Sequence, residues 1–402
     1  MVNWKEQTVP PFECFMAIKQ ALHVAKKIIS FRLARLGVAP VAAPINFTFS
    51  VTNKCQSRCL SCKIWEVYRK EPEKLREELS LDEIERMFRS VGNIYFFNLS
   101  GGCPFLRNDL PEIVELACRY LRPSVIHIPT NALAVERTLA AVKKILAILD
   151  THLPDTVLQI KPSFDGVDGL HDEVRGIPGN FGKLLRLTAG LKELQKGRAN
   201  LRVGLGTVVS RFNIKHLRKI MDYADKLHVD SYISEVAENR DEMFNMEDDI
   251  APSADEFKTA MREFKTAIHA RLRRKKGLAR VTDAFRLVYY DLTVDILNRK
   301  KQVIPCYGGI SNVHVDPYGN VWPCCILGNT QSMGNLKENQ FRFWEIWRSG
   351  RAGHVRQFIK QKKCHCPLAN QSYANILCDF KKMAQVLRYL LPFKANGVRG
   401  TH

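Results

Sequence analysis

The sequence predicts an α/β fold, a partial, open barrel of six β–α units followed by a small cysteine-rich module. Three observations carry that prediction. Six short apolar runs alternate with amphipathic helical stretches through the first 240 residues. Most of the twelve cysteines fall into two groups, 55–62 and 306–378. A chain of 402 residues is too long for one small core and suits a large domain with a smaller partner.

The strand candidates are 46–52, 94–99, 124–129, 157–163, 201–209 and 229–235. Helical patterns separate them at 81–90, 110–121, 133–149, 180–195 and 213–226. Ser80 and Glu83 open the first of these as a capping box. Repeated β–α units argue for a parallel sheet. Six of them suit a partial (β/α)6 barrel over residues 45–240 better than a closed eightfold one, with its active site at the C-terminal strand ends. Residues 241–302 are charged and helical in pattern and read as a connecting region. From Cys306 onward short strands, turns and cysteines suggest a separate metal-stapled module at 303–380.

The two ends carry most of the charge. The net charge is +20, and residues 1–44 hold six Lys/Arg against two acidic residues. Residues 351–402 hold ten Lys/Arg against one Asp. Residues 13–37 read as an amphipathic helix with Ile18, Leu22, Ala25, Ile29, Leu33 and Leu36 on one face. The tail at 381–402 is basic, and 380–391 repeats the theme with Phe380, Met383, Leu387, Leu390 and Leu391. Helices of this kind either pack on their own domain or lie in a membrane interface. An anionic membrane surface is therefore one expected partner. No run of about 20 uncharged apolar residues is present, and the N-terminus lacks the features of a secretory signal. The expected location is the cytoplasm, with the inner membrane surface within reach of the basic helices. No RNA-binding motif accompanies the charge, so nucleic acid is not an expected partner.

Clustered cysteines in a large cytosolic chain usually mean metal or redox chemistry. Cys55-Gln-Ser-Arg-Cys59-Leu-Ser-Cys62 directly follows the first strand. Thiolates suit iron–sulfur clusters or zinc. Three cysteines leave one iron of a cubane free, and no fourth ligand for a structural zinc stands in the loop.

This loop, with gaps of three and two residues after the first strand, resembles the radical SAM superfamily over roughly residues 45–240. The resemblance implies a [4Fe-4S] cluster on Cys55, Cys59 and Cys62 whose free iron chelates S-adenosylmethionine. Reductive cleavage then yields a 5′-deoxyadenosyl radical that abstracts hydrogen from a substrate. An electron donor such as flavodoxin or ferredoxin is implied with it. Ser100-Gly101-Gly102-Cys103-Pro104 looks like the family's Gly-Gly-Glu-Pro turn, which holds the methionine amino group. Thr130 and Asn131 end the third strand as in many members. Ser163 and Asp165 resemble the segment after the fourth strand and are assigned to the cofactor side. Thr207, Ser210 and Asn213 look like the ribose and carboxylate region. Two departures stand out. Ser61 replaces the usual aromatic residue, and Cys103 replaces the usual acid, although a thiol is a poor acceptor for an ammonium group.

Cys306, twelve residues, Gly319, four residues and Cys324 follow a hairpin pattern with its turn at Pro317–Gly319. With Cys364, Cys366 and Cys378 this resembles the SPASM/twitch extension, which holds auxiliary [4Fe-4S] clusters. The full seven-cysteine pattern is absent, so one auxiliary cluster is expected. Cys306, Cys324, Cys364 and Cys366 are its expected ligands, with Cys325 and Cys378 in reserve. Two separated cysteine pairs also suit tetrahedral zinc. The extension implies a peptide or cofactor precursor as substrate, with the auxiliary cluster taking an electron or binding that substrate. The alternatives are a membrane-borne lipid or isoprenoid substrate, or a non-catalytic basic iron–sulfur protein that binds nucleic acid or carries electrons. Phe97, Asn98, Glu235 and Arg240 are substrate-side candidates by their place near strand ends.

Overall fold

The computed structural model describes residues 11–272 and 277–391. Side chains of residues 11–23, 271, 278 and 279 lie outside that description, and with them Ile18 and Leu22 of the expected N-terminal stripe.

The chain opens with α1 (Pro11–Leu36) and β1 (Asn46–Thr52). The short α2 (Val67–Lys70) and α3 (Leu81–Val91) lead to β2 (Phe96–Gly101). Then follow α4 (Leu110–Tyr120), β3 (Val125–Thr130), α5 (Val135–His152) and β4 (Val157–Pro162). Next come α6 (Gly169–Arg175), α7 (Asn180–Gln195), β5 (Leu201–Val209), α8 (Leu217–Lys226) and β6 (Ser231–Val236). All six expected strands are present, and α6 is a helix the periodicity did not announce. It is only seven residues long, too short to show a period.

Each β–α unit adds its strand beside the last, all parallel, in the order β6-β5-β4-β3-β2-β1. Strand alternation decides the two faces. Phe47, Phe49, Phe97 and Leu99 point to the helices and are fully buried. Phe88 from α3 packs edge-on against Phe97 at 5.4 Å and against Phe49 at 6.1 Å. Such pairs add about 0.5–1.5 kcal/mol each beyond area burial. Thr48, Asn98 and Ser100 alternate with them and line the barrel lumen. Of the substrate-side candidates, Phe97 therefore faces the wrong way, and Asn98 faces inward. At α3, Ser80 and Glu83 form the expected capping box, worth about 1 kcal/mol.

After β6 come α9 (Ala254–Leu272) and α10 (Gly277–Arg299). The expected connecting region is thus two helices, and they do more than connect. Tyr290 of α10 bonds Ser234 of β6 at 3.0 Å and packs on Phe264 of α9 at 5.3 Å. The region covers the β6 side of the barrel.

The C-terminal segment comprises β7 (Asn312–Val315), β8 (Asn320–Trp322), β9 (Gly334–Asn335), α11 (Phe343–Trp347), α12 (Gly350–Lys360), α13 (Ala369–Cys378) and α14 (Phe380–Leu390). The hairpin forms as expected, with β7 antiparallel to β8. It is not a detached module, however. β7 pairs in parallel with β1, from Asn46↔Asn312 to Phe49↔Val315, and extends the sheet to nine strands. The reason is that β1 would otherwise leave an unpaired edge.

Candidate cofactor and cluster sites

The loop after β1 carries Cys55, Cys59 and Cys62 to one wall of a cavity of about 220 Å³ at the C-terminal strand ends. Two distant segments hold the loop there. At one end of it, Arg58 N–H donates to the Arg175 carbonyl and Leu60 N–H to the Val174 carbonyl, both at 3.0 Å. Gly176 makes this clasp work, since a Cβ there would lie 2.2 Å from the Arg58 oxygen. At the other, Lys63 N–H donates to the Met243 carbonyl at 2.9 Å, and Asn245 donates to the Ser61 carbonyl at 2.8 Å.

The glycine turn presses on the same loop. Gly102 N–H donates to the Thr52 carbonyl and Cys103 N–H to the Lys54 carbonyl. A Cβ on Gly102 would lie 2.4 Å from the Lys54 oxygen, so the close approach that requires glycine is to this strand exit. Gly101 has φ +113° for the same reason.

Gly101, Gly102, Thr130, Asn131 and Ser163 line the cavity with the three cysteines. Asn131 donates to Cys55 Sγ at 3.6 Å and to Gln56 at 3.1 Å. Cys103, Asp165, Thr207, Ser210 and Asn213 stand behind the wall instead. The Asp165 carboxylate accepts from Val208 N–H at 2.7 Å and from Arg175 at 3.1 Å. Asn213 donates to the carbonyls of Asp165 and Val208, and accepts from Ser210 N–H. Thr207 bonds the Phe164 carbonyl and the Tyr232 hydroxyl. These side chains tie the β4 and β5 loops together behind the wall. The Cys103 thiol is buried 3.6 Å from Asn131 Oδ1, and burial pushes its pKa up.

Sequence reasoning left Arg175 and Glu238 out of the site. Arg175 lines the cavity, pairs with Asp165, and its Nε is buried without a partner. Glu238 follows β6 and also lines the cavity; burial pushes its pKa up to about 7. For Glu238 the signal was position alone, two residues past β6, whereas Arg175-Gly176 stands in the segment after the fourth strand that resembles the family's, from which only Ser163 and Asp165 were assigned. Glu235 and Arg240, anticipated near strand ends, line this cavity and a second one of about 90 Å³ deeper in the lumen.

The donor set fits a cluster. Burial first, then the neighbouring Cys59, pushes the Cys55 thiol up to about 12 and Cys62 higher still. Three crowded thiols, two of them resisting ionisation in isolation, are suited to bonding with cationic iron, which ionises its thiol ligands.

The second set assembles from three separate segments. Cys306 precedes β7, Cys324 follows β8, and Cys364 and Cys366 lie between α12 and α13. All four line one enclosed pocket with Gln302, which donates to Cys364 Sγ at 3.7 Å. Burial raises all four pKa values, Cys324 to about 12 and Cys364 to about 11. The reserves go elsewhere. Cys378 packs with Phe31, Tyr307 and Ile310 in a small satellite core. Cys325 faces the lumen.

Comparison with known proteins agrees. Residues 49–224 match the radical SAM superfamily and residues 306–367 match an iron–sulfur cluster-binding domain, SPASM. The chain is 21% identical over 332 residues to the antilisterial bacteriocin subtilosin biosynthesis protein AlbA of Bacillus subtilis, covering 80% of this chain and 64% of that one. It is 26% identical over 349 residues to the AdoMet-dependent heme synthase of Oleidesulfovibrio alaskensis, covering 80% of each. The fold matches Streptococcus suis SuiB bound to precursor peptide SuiA with a TM-score of 0.54 at 14% identity, covering 89% of this chain and 74% of SuiB. These families bring a [4Fe-4S] cluster, S-adenosylmethionine and an auxiliary cluster as cofactors. Residues 49–224 thus form a radical SAM superfamily region, and residues 306–367 a SPASM extension that follows it.

Proposed function

We propose that this chain is a radical SAM enzyme that modifies a peptide or a cofactor precursor. The observation that carries the reading is the continuity of the lumen. Ser100, Glu235 and Arg240 are shared by the cavity of Cys55, Cys59 and Cys62 and by the deeper cavity that reaches Cys324. A substrate seated there would touch the surroundings of both cysteine sets. When bound, the family's cofactors supply an electron for S-adenosylmethionine cleavage and the deoxyadenosyl radical that takes a hydrogen atom from the substrate.

The chain's own residues position and enclose. Cys55, Cys59 and Cys62 would hold the first cluster, and Cys306, Cys324, Cys364 and Cys366 the auxiliary one. The backbone of Gly101 and Gly102 offers the methionine end carbonyl acceptors in place of the missing acid. Arg175 supplies a cation on the same wall. A flavodoxin or ferredoxin is the proposed electron donor. The substrate class is supported by the relatives, one named for bacteriocin biosynthesis, one for heme synthesis, and one holding a precursor peptide.

The test is anaerobic reconstitution and reduction, followed by assay for 5′-deoxyadenosine beside a Cys55/Cys59/Cys62→Ala triple variant. Product from the parent alone is expected. An iron-loaded parent that gives none would overturn the enzymatic reading.

A second reading, contact with an anionic membrane, is favoured by one observation. The apolar stripe of α1 faces solvent: Ile29 is 59% and Leu36 66% exposed, while Phe31 on another face is buried. Phe380, the first residue of α14 and 73% exposed, lies under the Arg32 guanidinium at 3.5 Å, which brings the start of α14 against α1. No helix among the described residues is long and apolar enough to cross a membrane. Flotation with anionic but not neutral vesicles is expected, and flotation with neither would remove this reading.

A further inference from the structure

The lumen holds a constellation that neither cysteine set uses. Glu242, His314 and Cys325 place one carboxylate oxygen, one ring nitrogen and one sulfur within 4.8 Å of one another. They come from the loop after β6, from β7 and from the turn after β8. His314 and Cys325 are buried.

The geometry around His314 is that of an oriented ligand. Its Nε2 lies 2.8 Å from Ser50 Oγ, and its ring is wedged edge-on against Trp322 at 5.1 Å. Ser50 thus occupies one ring nitrogen, leaving Nδ1 to face Glu242 Oε2 at 3.5 Å. That distance is too long for a good hydrogen bond. Metal-bound histidines are commonly fixed this way through the other ring nitrogen. Burial also lowers the His314 pKa, which keeps the ring in its neutral, ligating form.

Charged and polar groups surround the three. Glu238 and Glu242 share one guanidinium, that of Arg240, each at 3.5 Å. Gln371, whose buried Oε1 has no partner, lines the same cavity as the three groups.

We propose that Glu242, His314 and Cys325 form a mononuclear zinc site in the lumen, separate from both cluster sites. One oxygen, one nitrogen and one sulfur make a borderline-soft set that suits Zn²⁺. Three protein ligands leave a fourth position, as in zinc sites that bind a substrate oxygen. That position would open on the cavity lined by Ser100, Glu235 and Arg240. The proposal does not depend on the substrate or on turnover.

The experiment uses the cluster-loaded full chain, incubated with Zn²⁺ and washed with a weak chelator. Metal analysis should find about one zinc per chain, and zinc-edge X-ray absorption should show one sulfur among nitrogen and oxygen neighbours. Glu242→Gln and His314→Asn should each weaken zinc retention about tenfold or more with iron content unchanged, which also reports an intact fold. A parent that keeps no zinc overturns the proposal. A four-sulfur shell also overturns it, by moving the zinc to the auxiliary cysteines. Loss of iron in Cys325→Ser would assign Cys325 to a cluster and overturn it likewise. If a variant fails to fold, the absorption spectrum of the parent decides alone.

Discussion

The two cysteine sets differ in how the chain brings them together. Cys55, Cys59 and Cys62 lie within eight consecutive residues of one loop. Cys306, Cys324, Cys364 and Cys366 span sixty-one and meet only because β7, β8 and the approach to α13 converge. The first set has three thiols on the wall of a cavity of about 220 Å³, and the second has four around a pocket of about 30 Å³. An incomplete set beside a roomy cavity suits a cluster that must bind a small molecule. A complete set suits a cluster that stores or passes an electron. The ordering energy also differs. A short loop is cheap to close, although distant clasps from Val174, Arg175, Met243 and Asn245 seat it, whereas the second set must close long loops to form at all.

Separate disruption of the two sets sharpens this comparison most. Cys55/Cys59/Cys62→Ala should abolish 5′-deoxyadenosine formation. Cys364→Ala should leave that formation measurable while iron content falls and the altered substrate is no longer made. Equal loss of cleavage in both variants, read by chromatography beside iron analysis, would show that the sets are not independent.

A smaller effect is expected at the clasp. Arg175→Ala removes the partner of the buried Asp165 carboxylate and the cation facing the first set. Leaving a buried charge unpaired typically costs about 3–5 kcal/mol. Thermal unfolding should show a clear drop, and the first cluster should be lost before the auxiliary one. An unchanged midpoint would mean that the backbone clasp at Val174 and Arg175 suffices.

The smallest effect is expected at Cys103. Its thiol is buried behind the wall, and the hydroxyl of Cys103→Ser has Asn131 Oδ1 within reach as an acceptor, so a change of about 1 kcal/mol is expected. Cleavage of S-adenosylmethionine should remain near that of the parent. A collapse of cleavage with the fold intact would give this thiol a chemical role of its own.

The strand and helix pattern was legible because period and capping are local. Ser80 and Glu83 announced α3, and the alternation of Phe47, Phe49 and Phe97 with Thr48 and Asn98 was present in the letters. Face assignment was harder. On α1 the spacing marked Ile29, Leu33 and Leu36 as one apolar stripe, yet Phe31, off that stripe, makes the buried contact, with Tyr307 and Ile310. Periodicity finds an apolar face but does not say which neighbour exists to cover it.

By itself the sequence determined the β–α order, the three-thiol loop, the glycine turn and the hairpin that delivers the later cysteines. All of these depend on residues near one another in the chain. Tertiary structure alone decided that β7 joins β1, that Cys324 and Cys325 part company after β8, and that Asp165, Thr207 and Asn213 brace the wall. It alone brought Glu242, His314 and Cys325 together. Such contacts join segments dozens of residues apart, and strand pairing and core packing choose them, which no local pattern encodes.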